Sequence, residues 1–360
     1  MKYFKILMVL LLASMTSCSS KAEELKELLP PQNNPETEEP KPIPGSTDKI
    51  VVGYVTSWSS HEVKPEYVTH INYAFGHVLD TFRGIGIANE ERLKSIVALK
   101  KQAPYLKVLL SIGGWGSGNF SEMAANADNR LAFATDCKRV IDEFGLDGID
   151  IDWEFPTSDM AGISSSPDDT RNYSLMMRDI RQAIGSHKLL TLATVCSADY
   201  IDFNSIMPYI DFVNIMAYDM DNPPKHNAPL YQSSKFPGWF NCDKAVKAHQ
   251  DKGVPASKLV LGMPFYGHGT DIYDRFTDFK NVKVSDGYTN CWDEEAKVPY
   301  VTDKNGHFVL SYDNARSIDL KCDYILQHKL LGAMFWDDAG DDSNHTLHKT
   351  IANKLFVKSN

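Results

Sequence analysis

Three carboxylates at alternate positions have the residue types and the spacing for acid–base chemistry. Asp150, Asp152 and Glu154 lie in the segment Asp-Gly-Ile-Asp-Ile-Asp-Trp-Glu-Phe-Pro at 147–156. Successive side chains of a strand alternate between its faces, so the three acids would share one face, with neighbours roughly 6–7 Å apart. Burial and like charges both raise the pKa of a carboxyl group. The pattern therefore predicts a carboxyl that stays protonated near neutral pH and acts as a general acid.

Two other interpretations of this segment fit its residues less well. A solvated edge strand would not need Ile149, Ile151 and Trp153 on its opposite face. An EF-hand calcium loop needs a central glycine and a glutamate at its twelfth position, and this spacing provides neither. Asp147 departs from the alternating face, and we interpret it as a structural residue that holds the start of the acidic strand.

The elements that must position these acids alternate between strand-like and helical patterns. Helical patterns cover residues 129–144, 172–184 and 242–252. Eight apolar runs have the near-continuous Val, Ile, Leu and Met content of strands buried on both faces: residues 50–56, 69–75, 106–112, 145–154, 189–195, 211–218, 258–265 and 331–337. Such alternation predicts an α/β fold, and eight repeats predict a closed (β/α)₈ TIM barrel. An open doubly wound sheet is the alternative, but no glycine-rich phosphate loop follows the first run.

The segment between the seventh and eighth runs is longer than one helix requires. Asn305-Gly306 separates two apolar stretches at 299–301 and 307–311, which predicts a hairpin. We expect a short α+β insertion at about residues 267–311, within a catalytic domain that covers residues 49–358.

Acids and aromatic residues gather where the predicted strands end, and a barrel of this kind carries its chemistry at those ends. Aromatic rings suit the apolar C–H faces of sugars, and carboxylates suit their hydroxyls, although any one of these aromatics could instead be a core residue. Gly113 and Gly114 are expected to let the chain turn tightly after the third strand. Together, these residue types at the strand ends predict a groove that binds a polysaccharide. Its candidate substrate-binding residues are Tyr54, Phe75, Trp115, Met216, Asp219, Tyr266 and Trp336.

The N-terminus predicts export. Residues 1–17 combine Lys2 and Lys5 with an apolar run too short to span a bilayer, as in a signal peptide. The segment before Cys18 resembles a bacterial lipobox, with Met15 where Leu is usual. This resemblance implies cleavage before Cys18 and its lipidation, which would place the protein on the bacterial cell envelope, at the outer membrane or cell surface. An ordinary signal peptide cleaved nearby is the alternative. Residues 18–48 are proline-rich and predict an extended tether.

Charge and cysteine content narrow the partners further. The formal net charge is -10, and it becomes -12 without residues 1–17, so no nucleic-acid partner is expected. No Cys-x-x-Cys or Cys/His cluster indicates zinc, and we predict no metal, no cofactor and a monomer. Besides Cys18, the chain has five cysteines, which cannot all pair, so we expect buried free thiols with at most one disulfide among Cys242, Cys291 and Cys322.

The acidic segment resembles the D-x-x-D-x-D-x-E motif of glycoside hydrolase family 18, the chitinases and their relatives. The match is the fuller form, with Gly148 after the first Asp and Trp-Glu-Phe-Pro at 153–156. Residues 111–114 resemble the third-strand motif of the family, residues 216–219 the sixth, and Trp336 the eighth. The resemblance therefore covers nearly all of residues 49–358, and it implies a barrel with an insertion. The insertion in this sequence is shorter than is usual in the family, which argues against a deep, walled substrate tunnel.

The resemblance also implies a role for each matching residue. Glu154 would protonate the glycosidic oxygen. Asp152 would orient and stabilise the N-acetyl group of the substrate, and Asp150 would lie beneath it, sharing charge and a proton. Tyr218 would donate its hydroxyl to the acetamido oxygen. Trp336 would form the floor under the sugar at the cleavage point, while Asp219 would help to bind substrate and tune the site.

The implied reaction uses the substrate's own acetamido group as the nucleophile, so one protein acid is enough and the anomeric configuration is retained. We predict cleavage of β-1,4 bonds in chitin-type polymers of N-acetylglucosamine. One alternative is an endo-β-N-acetylglucosaminidase that acts on N-glycans or peptidoglycan-type chains, although Trp153 and Trp336 favour chitin. The other is an inactive surface glycan-binding protein, against which the presence of Glu154, Asp152 and Tyr218 argues.

Overall fold

A computed structural model of the chain describes residues 44–45 and 47–356. The predicted signal segment, Cys18 and almost all of the tether lie outside the described residues. Within them, no helix has both the length and the apolar character needed to cross a membrane.

The described residues fold into strands and α-helices that are numbered in chain order. The strands are β1 (Ile50–Thr56), β2 (His70–Val78), β3 (Ile85–Ile87), β4 (Lys107–Gly113), β5 (Gly148–Asp152), β6 (Leu189–Val195), β7 (Phe212–Met216), β8 (Leu259–Pro264), β9 (Tyr266–Gly269), β10 (Phe276–Asp278), β11 (Thr289–Asp293), β12 (Val298–Thr302), β13 (Phe308–Ser311) and β14 (Gly332–Trp336). The α-helices are α1 (Glu90–Ala98), α2 (Phe120–Ala125), α3 (Ala127–Phe144), α4 (Asp169–Ile184), α5 (Phe203–Ile206), α6 (Cys242–Asp251), α7 (Ala315–Gln327) and α8 (Thr346–Leu355).

The central sheet is a closed parallel barrel, which confirms the predicted (β/α)₈ fold. Its strands follow the order β1-β14-β8-β7-β6-β5-β4-β2, and parallel pairing of β1 with β2 closes the ring. Each of the eight apolar runs of the sequence overlaps one of these strands, although β2 and β4 extend beyond the ends of their runs. The short strand β3 was not predicted; it pairs antiparallel with β2 at the rim.

The insertion between β8 and β14 differs in part from its prediction. It forms an antiparallel sheet in the order β10-β9-β13-β12-β11, with the predicted hairpin between β12 and β13. The prediction of an α-helix within this insertion is wrong, because residues 266–311 contain a 3₁₀ turn at Phe279–Asn281 and no α-helix. Its strands are three to five residues long and pair with one another into the sheet.

The helices cover the outside of the barrel through their apolar faces. Helix α3 begins after Asn126, whose side-chain oxygen accepts hydrogen bonds from the backbone N–H groups of Asp128 and Asn129, and it ends at Gly145 with φ of 70°. It buries Phe133, Val140 and other apolar residues against the barrel. Leu131 of the same helix is exposed.

The five cysteines of the described residues are all free, so no disulfide forms among Cys242, Cys291 and Cys322. The thiol of Cys242 is directed at the carbonyl oxygens of Ala217 and Ala228, and that of Cys291 at the carbonyl of Thr289. These contacts are with backbone carbonyls and not with another sulfur. Four of the five thiols are buried, as predicted, while Cys291 is half-buried.

Candidate active site

The acidic strand β5 carries its side chains to both faces, as the alternation predicts. Ile149 and Ile151 are fully buried in the layer between barrel and helices, and Trp153 stacks on Phe120 with ring centroids 5.2 Å apart. Asp150 and Asp152 face the barrel interior, where they are buried among polar groups. The strand ends at Asp152, so Glu154 lies beyond it, at the rim.

Asp150 lies at the bottom of the acidic row and accepts four hydrogen bonds from neighbouring strands. Oδ2 accepts from the hydroxyls of Tyr54 (2.7 Å) and Ser111 (2.8 Å). Oδ1 accepts from the hydroxyl of Thr191 (2.5 Å) and the amide of Asn214 (3.2 Å). Burial raises the pKa of Asp150, and these four donors oppose the increase. The carboxylate is thus held by β1, β4, β6 and β7.

Asp152 is buried next and has an unused acceptor atom. Its Oδ1 is buried and has no hydrogen-bond partner among the described residues. The pKa of Asp152 is raised well above its usual value. Burial is the largest cause, and the charges of Glu154 and Asp150 add to it. Because it lines the large cleft above the barrel, this carboxyl is positioned to meet a polar group of a ligand.

Glu154 is half-buried and lines the same cleft. Burial and the charge of Asp219 raise its pKa to about 8. The group is therefore a neutral acid near pH 7 that can give up a proton, which is the state a general acid needs.

Tyr218 is buried beside the acids at the end of β7. Its hydroxyl lies 3.7 Å from the sulfur of Met334, which is a weak acceptor. Burial and the charges of Asp152 and Asp219 raise the pKa of Tyr218 well above its usual value, so the hydroxyl remains a donor at any ordinary pH.

Aromatic residues form the floor of the cleft, which encloses about 1100 Å³. Trp336 stacks on Phe75 with ring centroids 5.6 Å apart and planes 19° from parallel, and its centroid lies 5.7 Å from that of Tyr54. Trp115 is 62% exposed at one wall. Such flat apolar surfaces suit the C–H faces of sugar rings.

The remaining cleft residues of the prediction lie beside this floor. Met216 ends β7, and Tyr266 lies on β9 with its hydroxyl donating to Asp219 Oδ1 at 2.6 Å. Asp219 has half of its side chain exposed. The structure therefore places every sequence-predicted catalytic and substrate-binding residue except Asp150 on the cleft lining, with Asp150 directly beneath.

The three residues predicted to be structural lie at or next to the ends of barrel strands. Asp147 precedes β5 at the opposite end of the barrel, where it accepts from Lys100 Nζ (2.7 Å) and the backbone N–H of Val108 (2.9 Å). Gly113 and Gly114 have φ of 128° and 89°, in the region that favours glycine. A Cβ on Gly113 would lie 1.9 Å from the carbonyl oxygen of Asp152, so only glycine fits there.

Sequence reasoning missed several residues of the cleft. Trp58 is 68% exposed and follows β1 by two residues, so the strand-end rule could have found it. Trp239 and Phe276 are exposed aromatics in a loop and in the insertion, where no periodic pattern marks them. Asp337 follows Trp336; burial and the charges of Asp278 and Asp338 raise its pKa to about 6. Across the described residues, no group of three His, Cys, Asp or Glu side chains could hold a metal ion.

Comparisons with known proteins match this geometry. The model of the family "Glycosyl hydrolases family 18" matches residues 50–341. Chitinase A1 of Niallia circulans is 31% identical over 85% of this chain, which spans 58% of that relative's length. Chitotriosidase-1 of Mus musculus is 33% identical, over 81% of this chain and 73% of that protein.

Solved structures give the same picture. A glycoside hydrolase family 18 N-acetylglucosaminidase from Paenibacillus barengoltzii superposes with a TM-score of 0.77 at 34% identity, over 85% of this chain and 100% of that one. A chitinase from Rhizomucor miehei superposes with a TM-score of 0.75 at 27% identity, over 85% of this chain and 100% of that chain.

Proposed function

The chain belongs to glycosyl hydrolases family 18, as a glycosidase of the chitinase type, and we propose that it cleaves the β-1,4 bonds of N-acetylglucosamine polymers by substrate-assisted, retaining catalysis. The observation that carries this proposal is the pairing of two unlike acids in one cleft. Glu154 is neutral near pH 7, and the neighbouring Asp152 keeps a buried oxygen without a partner. Chitin and chitooligosaccharides are the substrate class that the chitinase-named relatives suggest.

In the first step, the protein supplies the proton and the substrate supplies the nucleophile. Glu154 transfers its proton to the glycosidic oxygen while the bond from that oxygen to the anomeric carbon breaks. The carbonyl oxygen of the substrate's acetamido group attacks the anomeric carbon and closes an oxazolinium ring. Asp152 Oδ1 accepts the acetamido N–H and stabilises the positive charge, and the Tyr218 hydroxyl donates to the acetamido oxygen.

The second step reverses these roles. Glu154, now ionised, takes a proton from water, whose oxygen attacks the anomeric carbon and opens the ring. Two inversions at one carbon give overall retention. Asp150 does not bond to Asp152, since its two oxygens are occupied by donors from four strands; we propose that it acts as a buried negative charge beneath Asp152.

A second candidate is an N-acetylglucosaminidase acting on another glycan, such as an N-glycan or a peptidoglycan-type chain. The likeness to the N-acetylglucosaminidase from Paenibacillus barengoltzii, at 34% identity over the whole of that chain, supports it. Both candidates use the same acids, so only the substrate distinguishes them.

One experiment tests the proposal and separates the candidates. The purified protein is incubated with chitin oligomers, an N-glycoprotein and peptidoglycan, and the products are identified by mass. We expect cleavage of the chitin oligomers, and a thiazoline mimic of the oxazolinium ring should inhibit it. Cleavage of the N-glycoprotein or peptidoglycan alone would favour the second candidate. Equal turnover of an oligomer that lacks the N-acetyl group at the scissile sugar would refute substrate assistance.

We also propose that lipid on Cys18 anchors the protein to the bacterial cell envelope. The support is the sequence alone: a short apolar leader, a cysteine after it and a proline-rich segment before the barrel. Labelling with a radioactive fatty acid in the wild type, lost in Cys18→Ala, would support the anchor. Release of an unlabelled protein with a nearby cleavage site would indicate an ordinary signal peptide.

A further inference from the structure

The interior of the barrel contains two buried asparagines whose side chains are not fully hydrogen bonded. Asn72 on β2 is fully buried, and neither its Oδ1 nor its Nδ2 has a hydrogen-bond partner among the described residues. Asn214 on β7 is also fully buried; its Nδ2 donates to Asp150 Oδ1 at 3.2 Å, while its Oδ1 has no such partner. A buried amide without partners is costly, so these groups in folded proteins are normally bonded to protein or to trapped water.

Asn72 points into the barrel because the side chains of a strand alternate between its faces. Its neighbours Ile71 and Tyr73 pack in the layer between barrel and helices, whereas Ala74 belongs to the apolar cluster inside the barrel. Asn72 therefore shares the inner face of β2 with Ala74. It does not line the substrate cleft.

The register places Asn72 in the same layer of side chains as Asp150 and Asn214. The strands of such a barrel tilt, so residues at one height shift by about one position for each strand crossed. From Asp150, pairing through β6 to β7 reaches Phe212, and the residue two positions later is Asn214, whose bond to Asp150 shows that the shift runs in this direction. In the opposite sense, pairing through β4 to β2 reaches Ala74, and the residue two positions earlier is Asn72.

The fourth member of this layer is Met334 on β14. A layer takes one side chain from each of four alternate strands, and in this barrel β5 lies across from β14, and β7 across from β2. From Asn214, the pairing continues through Val260 on β8 to β14, where the residue at this height is Met334. Met334 therefore lies opposite Asp150, and Asn72 lies opposite Asn214. The two asparagines make no direct hydrogen bond to one another.

Water is the ligand that fits the atoms left without partners. Asn72 presents one donor and one acceptor, whichever way its amide is turned. Asn214 presents an acceptor, because its donor faces the carboxylate of Asp150. A cation would satisfy the oxygens but not the N–H₂ of Asn72, and an apolar molecule would satisfy none of them. Trapped water both donates and accepts, and makes about three hydrogen bonds in such sites.

We propose that water trapped between Asn72 and Asn214 fills this layer and that Asn72 is a positioning residue for Asp150. The water donates to Asn214 Oδ1 and so keeps the N–H₂ of Asn214 turned towards Asp150. Without this bond the amide can rotate, and Asp150 loses one of its four donors. Asn72 acts on Asp150 only through the water and Asn214. The effect on catalysis rests on the proposed function, whereas the water site itself does not.

A crystal structure of the wild-type protein at high resolution tests the water directly and without any assay. We expect an ordered solvent peak within hydrogen-bond distance of Asn72 and of Asn214 Oδ1. The peak should be lost in Asn72→Leu, whose side chain is similar in size but apolar. A wild-type layer without solvent, or with a direct bond between the two amides, would overturn the inference, and this holds even where the variant fails to fold.

Stability gives a second test, because a dry layer and a hydrated layer predict opposite signs. In a dry layer, Asn72→Leu would replace unbonded polar atoms with apolar ones, so the protein would be as stable as the wild type or more stable. In a hydrated layer the same substitution expels the water and leaves Asn214 Oδ1 unpaired, so we expect a lower midpoint of urea denaturation. Asn72→Ser leaves room for an additional water molecule and should stay closer to the wild-type midpoint.

Steady-state kinetics with chitin oligomers test the positioning role. Asn72 lies outside the cleft lining, so Asn72→Leu should keep the wild-type KM. Its kcat should fall about tenfold, the factor that one hydrogen bond to a charged group supplies. Asn72→Ser keeps the site hydrated and should recover most of the lost kcat. An unchanged kcat in Asn72→Leu, with or without a change in KM, would refute the positioning role.

Leu109→Met is the matched control. Leu109 is the fully buried neighbour of Asn72 on β4, and this substitution conserves volume, so the solvent peak and kcat should stay as in the wild type. The two failures are distinguishable. A wild type that cuts no N-acetylglucosamine glycan would refute the proposed function but not the water site, while an active wild type with a dry layer would refute only the inference.

Discussion

Phe75 and Trp336 stack on one another in the cleft floor, with ring centroids 5.6 Å apart and planes 19° from parallel. The two residues are far apart in sequence and come from strands on either side of β1 in the barrel. Gly114 lies against the same stack, since a Cβ built on it would be 2.6 Å from Phe75 Cε2. The glycine after β4 thus makes room for the aromatic floor.

Substitution of this glycine should damage the floor without touching any acid. In Gly114→Ala, the new methyl group meets Phe75 and the backbone is strained at φ of 89°. We expect a higher KM for chitin oligomers and a loss of about 1–3 kcal/mol in the free energy of unfolding. Steady-state kinetics and urea denaturation measure the two effects. Gly118→Ala is the matched control, because nothing lies within 4 Å of its Cβ position. Wild-type values for both quantities in Gly114→Ala would contradict this account of the floor.

Glu154→Gln tests the assignment of the general acid. The amide keeps the shape of the side chain but has no proton to transfer, so hydrolysis should fall by about 10²–10⁴-fold while oligomer binding persists. Turnover and equilibrium binding are measured on the same preparation. Glu143→Gln, on the exposed face of α3 where Glu143 pairs with Arg139, serves as the control. Near-normal hydrolysis by Glu154→Gln would show that another group supplies the proton.

The pKa of Glu154 predicts where activity ends at high pH. A general acid works only while protonated, and burial with the charge of Asp219 raises the pKa of this group to about 8. Activity should therefore persist through neutral pH and decline as the pH rises through about 8. A profile of kcat/KM against pH measures the limb. A decline that is complete in the acidic range, as an ordinary glutamate would give, is incompatible with the environment described for Glu154.

The barrel was predictable because its strands are buried on both faces and therefore form continuous apolar runs in the sequence. The ends of the runs were less reliable: residues 145–154 predict one strand, but β5 stops at Asp152 and leaves Glu154 at the rim. The structure of the insertion was predicted only in part, for a related reason. Its strands are short, and tertiary pairing of β9 with β13 decides their structure, which local patterns do not reveal.

The site was predictable where it follows strand ends and not where it depends on loops. Tyr218 and Trp336 lie at the ends of β7 and β14 and were found. Trp239 and His268 reach the cleft through a loop and the insertion, whose path the sequence does not indicate. The donors to Asp150 carried a weaker signal: Thr191, for example, is one of two threonines in a largely apolar strand, and only the barrel register brings it to the carboxylate.

The segment that follows Trp336 is tied to helix α8 by a buried histidine. His348 on α8 is buried, with Nδ1 2.6 Å from Asp341 Oδ2 and Nε2 3.1 Å from Asp338 Oδ1. Burial alone would lower its pKa, but the hydrogen bonds and charges of the two aspartates raise it to about 9. The folded protein therefore holds a proton on this ring more tightly than the unfolded chain does.

The sign of the resulting pH dependence follows from linkage. A folded pKa of about 9 against 6.5 gives a stabilisation that is complete below about pH 6.5 and is lost as the pH rises through about 9. The shift corresponds to roughly 3 kcal/mol. Urea denaturation across this range should show the decline in the wild type and a flatter curve in His348→Gln, which is also less stable at low pH because Asp338 and Asp341 lose their cation. His307→Gln, in an exposed pair, should keep the wild-type slope. If His348→Gln keeps that slope as well, the pH dependence arises elsewhere and the imidazolium does not hold the chain after Trp336 against α8.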